Sequence, residues 1–269
     1  MLFFAKALRR FLAIVFGVCY NESKEVKGAE SSMKQPYIIC HMVTSIDGKV
    51  TGDFLSSPAC EAATEVYYEI NRAYKAQGAC GFICGRITME QSFTGGWYPD
   101  LSKYRPAKKE PYLPDALQMT GFYAVAFDPK GKLGWRSAFI EDSDPGYDKV
   151  QIIEVLTEQA DERYLVYLQE LGIPYLFAGK TEINVKDALE RLYQHFGIHL
   201  LLLEGGSVIN GHFLRADCVD ELSLVQAPLV ADASDKPLFA NGIPRRFSLA
   251  SVENHQSVPV IRYRRHEDV

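Results

Sequence analysis

No CxxC pair occurs among the six cysteines (Cys19, Cys40, Cys60, Cys80, Cys84 and Cys218), so zinc-ribbon and thioredoxin-type chemistry lack their usual ligand spacing. The cysteines read instead as reduced, small core residues. A basic excess is missing too: 29 Lys and Arg stand against 34 Asp and Glu, for a formal charge of −5. No global positive field exists to hold nucleic acid or anionic lipid. The one dense basic run, Arg262, Arg264 and Arg265 beside His266, reads as a solvated last strand and tail. The apolar run from Phe11 to Tyr20 is too short to span a bilayer. Gly197 lies between His195 and His199 and breaks the helical spacing a metal pair would need, and no metal is expected. There is no internal repeat and no GxGxxG after the first strand.

What is present is an ordinary globular composition, with 47% hydrophobic and 23% charged residues in 269, enough to bury a sizeable core. Residues 1–32 combine Lys6, Arg9 and Arg10 with the apolar run and then the polar stretch NESKEVKGAESS. They read as an N-terminal extension, flexible or the product of a mis-assigned start. No small-x-small cleavage pair follows the run, so the cytoplasm is the expected location and export the alternative. Residues 33–269 are expected to form a single domain.

From Pro36 onward, strand-like runs alternate with helical patterns, the habit of an α/β sheet covered by helices. Tyr37–Thr44 is the first strand and ends in SIDGK, where Asp47-Gly48 supplies a tight turn. Ser57-Pro58 starts a helix with serine as N-cap, its apolar face formed by Ala62, Val66, Ile70 and Ala73 until Gly78. ACGFICG is a buried strand, FYAVAF another with a turn at Asp128-Pro129-Lys130-Gly131, and VQIIEVLT a third. Between them, residues 94–121 carry several prolines and little periodicity, an irregular excursion over the sheet edge or the site. Helices are expected over Asp161–Leu171 and Val185–Phe196, with PYLFAG as a strand between them. His199–Leu203 is a strand buried on both faces. The alternation in CVDELSLVQAPLV, RFSLASVE and VPVIRYRR predicts an antiparallel end to a mostly parallel sheet.

Two strand-to-helix corners carry the chemical signal, Gly85-Arg86-Ile87-Thr88 and Glu204-Gly205-Gly206-Ser207. Amides at a helix N-terminus bind a pyrophosphate when no Cβ blocks the approach, and Gly205 and Gly206 meet that condition. Each motif alone is weak, since a strand ending in two glycines is often only a turn and Thr88 can be a simple helix cap.

Taken together, HMVTSIDGKV (41–50), ICGRITME (83–90), HLLLLEGGSVINGHFLRADCVDELSLVQAPLV (199–230) and KPLF (236–239) resemble the reductase domain of riboflavin biosynthesis. This is the C-terminal half of the bifunctional RibD deaminase–reductase. The resemblance implies a dihydrofolate-reductase-like three-layer α/β/α fold and an NADPH-dependent reduction of a ribosylamino pyrimidine phosphate to its ribitylamino product. It implies Gly85, Arg86, Thr88, Gly205, Gly206, Ser207, Val208 and Ile209 as cofactor-binding residues. Asp47 and Glu204 are implied at the reacting end, with Ser45, Lys49 and Glu204 on the substrate. Hydride transfer to a polarised C=N or C=O carbon asks the protein mainly for orientation and electrostatics, and a carboxyl group at either acid could hydrogen-bond ribose hydroxyls or relay a proton. A homodimer is implied as well, consistent with the edge-forming C-terminal strands.

The sequence departs from the family at three places. No HxE…PCxxC deaminase segment precedes the reductase motifs. The turn after FYAVAF reads Asp128-Pro129 where a hydroxyl residue more often sits near the 2′-phosphate, and the 94–121 excursion is long. Two other functions therefore stay open, a reductase of another carbonyl, imine or pterin substrate and a catalytically inactive nucleotide-binding homologue.

Overall fold

The computed structural model describes residues 35–114 and 121–266. The N-terminal extension, and the part of the excursion over 115–120, lie outside the described residues. Lys34–Val269 forms one compact unit. Its described strands are β1 (Tyr37–Thr44), β2 (Gly81–Gly85), β3 (Tyr123–Phe127), β4 (Gln151–Leu156), β5 (Tyr175–Phe177), β6 (Leu200–Leu203), β7 (Glu221–Gln226), β8 (Phe247–His255) and β9 (Val258–Arg265). The helices are α1 (Glu61–Ala76), the short α2 (Arg86–Met89), α3 (Glu162–Leu171), α4 (Val185–Phe196) and α5 (Ser207–Arg215). None is long and apolar enough to cross a membrane.

One sheet runs in the order β5-β4-β3-β2-β6-β1-β7-β9-β8. Every pairing from β5 to β7 is parallel, and β9 and β8 close the sheet antiparallel. The mostly parallel α/β architecture with an antiparallel end is thus the observed one. Strand alternation divides the core. Cys40, Ile83, Val125, Val155, Leu201 and Leu203 face Leu189, Leu192 and Phe196 of α4 and Phe213 of α5. The intervening residues, among them His41, Phe82 and Leu202, are buried on the opposite face, where Tyr67 of α1 stacks on His41. On that face too, Tyr164 of α3 reaches Glu154 of β4. Helices on both faces complete three layers.

Local chemistry accounts for most boundaries. Asp161 caps α3 by accepting from the Arg163 N–H, Asn184 caps α4 in the same manner, and Gly172 and Gly197 end these helices in left-handed conformation. The start of α1 differs from expectation. Pro58–Cys60 forms a 3-10 turn, the α-helix begins only at Glu61, and Ser57 makes no side-chain cap bond. The change of phase exposes Ala62 and Ala73 and buries Ala63, Val66, Ile70, Asn71 and Tyr74. Among the described residues, the links β2–β3 and β3–β4 carry no long helix. The first contains a π-helical turn (Glu90–Thr94) and reaches the sheet edge, where Tyr112 pairs with Tyr175. Two arginines of the basic run in β9 are ion-paired, Arg265 to Asp220 at 2.9 Å and Arg264 to Glu221 at 3.5 Å.

Candidate active site

Strand register brings the two glycine corners together. Ile83 pairs with Leu203 and Gly85 with Phe127, so β2, β3 and β6 end side by side. Two residues past that pairing, the Gly85 N–H donates to the Gly205 carbonyl at 2.8 Å. The chain turns into α2 at Gly85 and into α5 at Gly206, and a Cβ on Gly206 would lie 3.3 Å from the Thr88 Oγ1. Both corners therefore open on the same side of the sheet.

They wall one groove of about 430 Å³. One flank is Gly85, Arg86, Ile87 and Thr88, and the other is Gly206, Ser207, Val208, Ile209 and His212. Phe127, Pro129 and Lys130 follow from the end of β3, Thr181, Glu182 and Ile183 from the entry to α4, and Thr51 and Lys236 from the rim. Phe127, Ile183 and Ile209 give it an apolar floor, while Ile87 and Val208 stand half-exposed at 51% and 50%. Three cationic side chains, Arg86, Lys130 and Lys236, line it against one acid, Glu182. Arg86 is held by Glu90 at 2.7 Å, whereas the ammonium groups of Lys130 and Lys236 have no partner among the described residues.

Each corner is fixed by its surroundings. The first amides of α5 have no intrahelical acceptor, and the helix is pinned from behind: the Ser207 hydroxyl donates to the Pro237 carbonyl, the Asn210 amide to the Leu238 carbonyl at 3.1 Å, and Ala240 N–H to the Ser207 carbonyl at 3.0 Å. Ser207 can thus offer the groove its N–H but not its hydroxyl. Gly211 admits this segment, because a Cβ there would fall 1.9 Å from the Ala240 carbonyl oxygen. Gly205 has φ +91° and sits against Met42, and the Gly205–Gly206 peptide is cis. After β3, the buried Asp128 accepts the N–H groups of Lys132 and Leu133, a tight turn that projects Lys130. Burial raises the Asp128 carboxyl above the usual range.

Ser45, Asp47 and Lys49 are placed differently from the residues expected to bind cofactor, and none of the three lines the groove. The Ser45 hydroxyl donates to Asp47 Oδ1 at 2.6 Å and accepts the Lys49 N–H at 2.9 Å. Asp47 also accepts the Ala231 N–H at 3.0 Å. These bonds, the one from Ser45 foremost, hold its carboxyl below the ordinary range. Lys49 Nζ donates to the Asp235 carbonyl at 2.9 Å. The SIDGK side chains build the turn and tie it to residues 231–236.

Glu204 lies on the other face. Leu203 faces α4 and α5, so period-two alternation turns Glu204 toward α1. There Asn71 Nδ2 donates to Oε1 at 2.5 Å and the Tyr147 hydroxyl to Oε2 at 2.8 Å. Burial pushes the carboxyl up to about 7, against the lowering effect of Tyr147, Tyr67 and Asn71. Thr51, Gln91, Lys130, Ile183 and Lys236 line the groove and are not among the site residues expected from the sequence, although Lys236 opens the KPLF stretch. For Lys130 a local signal existed, a lysine in the turn that ends a buried strand. The others reach the groove through long-range topology.

Residues 146–259 match the family model described as the RibD C-terminal domain. Over 86 residues the chain is 33% identical to the 2,5-diamino-6-ribosylamino-4(3H)-pyrimidinone 5′-phosphate reductase of Aquifex aeolicus, a match covering 32% of this chain and 38% of that relative. Among solved structures, a pyrimidine reductase-like protein of Corynebacterium diphtheriae superposes with TM-score 0.61 at 18% identity, over 95% of this chain and 98% of the other. Acinetobacter baumannii RibD gives 0.59 at 19% identity, over 87% of this chain and 59% of the other. The riboflavin biosynthesis reductase Rib7 of Saccharomyces cerevisiae gives 0.57 at 16%, over 96% and 99%. The fold is the one shared by these RibD-like reductases.

Proposed function

We propose that this chain is a reductase of the riboflavin-biosynthesis type. It would use NADPH to reduce a ribosylamino pyrimidine phosphate, the class named for the Aquifex aeolicus relative. The observation that carries the reading is the convergence of both glycine corners on one groove, because a dinucleotide needs its pyrophosphate gripped by main-chain amides while its rings lie on apolar walls.

The residues present suit that group. The amides opening α5 at Ser207, Val208 and Ile209 would hold the pyrophosphate, with Gly206 keeping the approach free of side chain. Phe127, Ile183 and Ile209 would pack the rings, and Lys130 with Arg86 would meet the additional phosphate that distinguishes NADPH from NADH. When bound, the cofactor supplies the hydride. The chain's own part is to orient the reactants, and Glu204, a buried carboxyl on the α1 face pushed up to about 7, would supply a proton to a substrate that reaches across the strand ends to that face. Ser45, Asp47 and Lys49 support this site by holding the turn after β1. A homodimer through the sheet's antiparallel end is part of the reading, since the outermost strand β8 exposes Leu249 and Val252 at 61% and 62%.

The test is nicotinamide absorbance in purified protein given NADPH or NADH with the ribosylamino pyrimidinone phosphate, its deaminated counterpart, or dihydrofolate. Oxidation with one of the first two and not with dihydrofolate supports the reading. Nucleotide binding with no oxidation by any of them replaces it with a binding homologue.

A further inference from the structure

The loop between β3 and β4 reaches across to α1 and sets one side chain on Glu204. Arg72 pairs with Asp144 at 2.6 Å, Lys75 Nζ donates to the Gly146 carbonyl at 3.1 Å, and Gly146 N–H closes on Asp144 Oδ1 at 2.7 Å. Tyr147 follows directly. Its ring stands edge-on to Phe82 with centroids 5.0 Å apart. Its hydroxyl meets Glu204 Oε2 at 2.8 Å, Asn71 Nδ2 at 3.1 Å and the Tyr67 hydroxyl at 3.4 Å. Tyr67 is held in place by its stack on the buried His41, 4.4 Å between ring centroids.

We propose that Asn71 and Tyr147 are positioning residues for Glu204, fixing its carboxyl so that the exchangeable proton resides on Oε2. The argument is one of donor inventory. An amide NH2 only donates, so with Asn71 Nδ2 turned to Oε1 that oxygen accepts and the proton falls to Oε2, while Asn71 Oδ1 is buried without a partner among the described residues. A phenol donates or accepts. When Glu204 is ionised, Tyr147 donates to Oε2. When Glu204 is protonated, Oε2–H donates to Tyr147, whose own O–H then turns to Tyr67. Both states are hydrogen-bonded without moving a heavy atom. The titratable neighbours Tyr67 and Tyr68 of α1, Tyr147 and Cys84 of β2 stay neutral, burial raising the thiol and the three phenols, and burial keeps His41 neutral by lowering it to about 4. No permanent charge competes for the proton.

Use of this proton in catalysis rests on the reductase reading. A hydride arriving at a C=N carbon drives the π pair onto nitrogen. Nitrogen then needs a proton, which Oε2 would supply to a substrate that reaches across the strand ends to the α1 face. The existence of the proton does not rest on that reading, so the first measurement needs no substrate. Infrared difference spectra of the full-length, ligand-free protein across pH 5–9 should show a buried carboxylic-acid band fading with its midpoint near 7 and missing from Glu204→Gln. Tyr147→Phe and Asn71→Leu each remove a donor to the carboxylate and should raise that midpoint by about one pH unit, tenfold in proton affinity. Asn71→Leu keeps the test available should Tyr147→Phe fail to fold. A midpoint unmoved in the folded variants, or no band assignable to Glu204, overturns the assignment. With active enzyme, the limb of the kcat–pH profile should move with the band in each variant, and a limb that stays put overturns the catalytic use.

Discussion

The Gly85 N–H and the Gly205 carbonyl share a hydrogen bond of 2.8 Å, which locks the end of β2 to the first glycine of the second corner. The relative position of the corners is thus set by the sheet ladder itself and not by flexible loops. Alterations at one corner should be felt at the other.

Gly206→Val would place a branched side chain where a Cβ alone already lies 3.3 Å from Thr88 Oγ1. Nucleotide affinity is expected to fall at least about tenfold, with the fold retained, since the φ of −73° at Gly206 is open to any residue. Titration calorimetry with NADPH, alongside a thermal melt, separates the two effects. Gly205→Ala, at φ +91°, should instead cost about 1–2 kcal/mol of stability.

The Lys130 ammonium has no partner among the described residues and stands at the groove on a turn fixed by Asp128. Removing it in Lys130→Ala should weaken NADPH about tenfold and leave NADH within twofold, the loss of one charge-assisted contact to phosphate. Equal losses for both nucleotides would place the extra phosphate elsewhere.

Ser45→Ala breaks the bonds to Asp47 and Lys49 together. About 1 kcal/mol of stability should be lost in urea denaturation, with the dissociation constant for nucleotide unchanged, because Ser45 holds a turn and does not line the groove.

Stability should also depend on pH through Glu204. In the folded protein the carboxyl keeps its proton up to about 7, while an unfolded glutamate releases it near 4.3. Between those values the unfolded chain binds fewer protons, so stability falls as pH rises, with no slope from this group below or above both. His41 acts oppositely: lowered to about 4 by burial, it adds stability as pH rises to about 6.5. Glu204→Gln removes only the first slope. Its stability relative to wild type should therefore improve by about 3 kcal/mol between pH 4 and pH 8, read from paired denaturation curves.

Strands, helix ends and corners were legible because their signals are local. Gly197 follows the last apolar residue of α4, Asp161 sits one residue before α3, and continuous leucine in β6 marks burial on both faces. The phase of α1 was not, since a proline-led 3-10 turn delays the helix and the larger Tyr74 takes the buried place that Ala73 was expected to fill. Of the site, the glycine corners were readable, whereas strand order, which seats Lys130 and Lys236 beside them, depends on pairings between distant residues. The face taken by Glu204 was within reach, being the parity of one position past Leu203. For Ser45 and Asp47 the sequence shows a turn but not their partners, the N–H groups of Lys49 and Ala231, which the fold supplies.

The groove wall draws on chain segments from Thr51 to Lys236, and those two ends are themselves stitched together, Lys236 N–H donating to the Thr51 hydroxyl at 2.8 Å and Val50 N–H to the Lys236 carbonyl at 3.0 Å. No shorter fragment contains every wall. Affinity for a nucleotide would accordingly appear in one step, late in folding, and a bound nucleotide would guard the first strand and the closing segment alike against proteolytic attack.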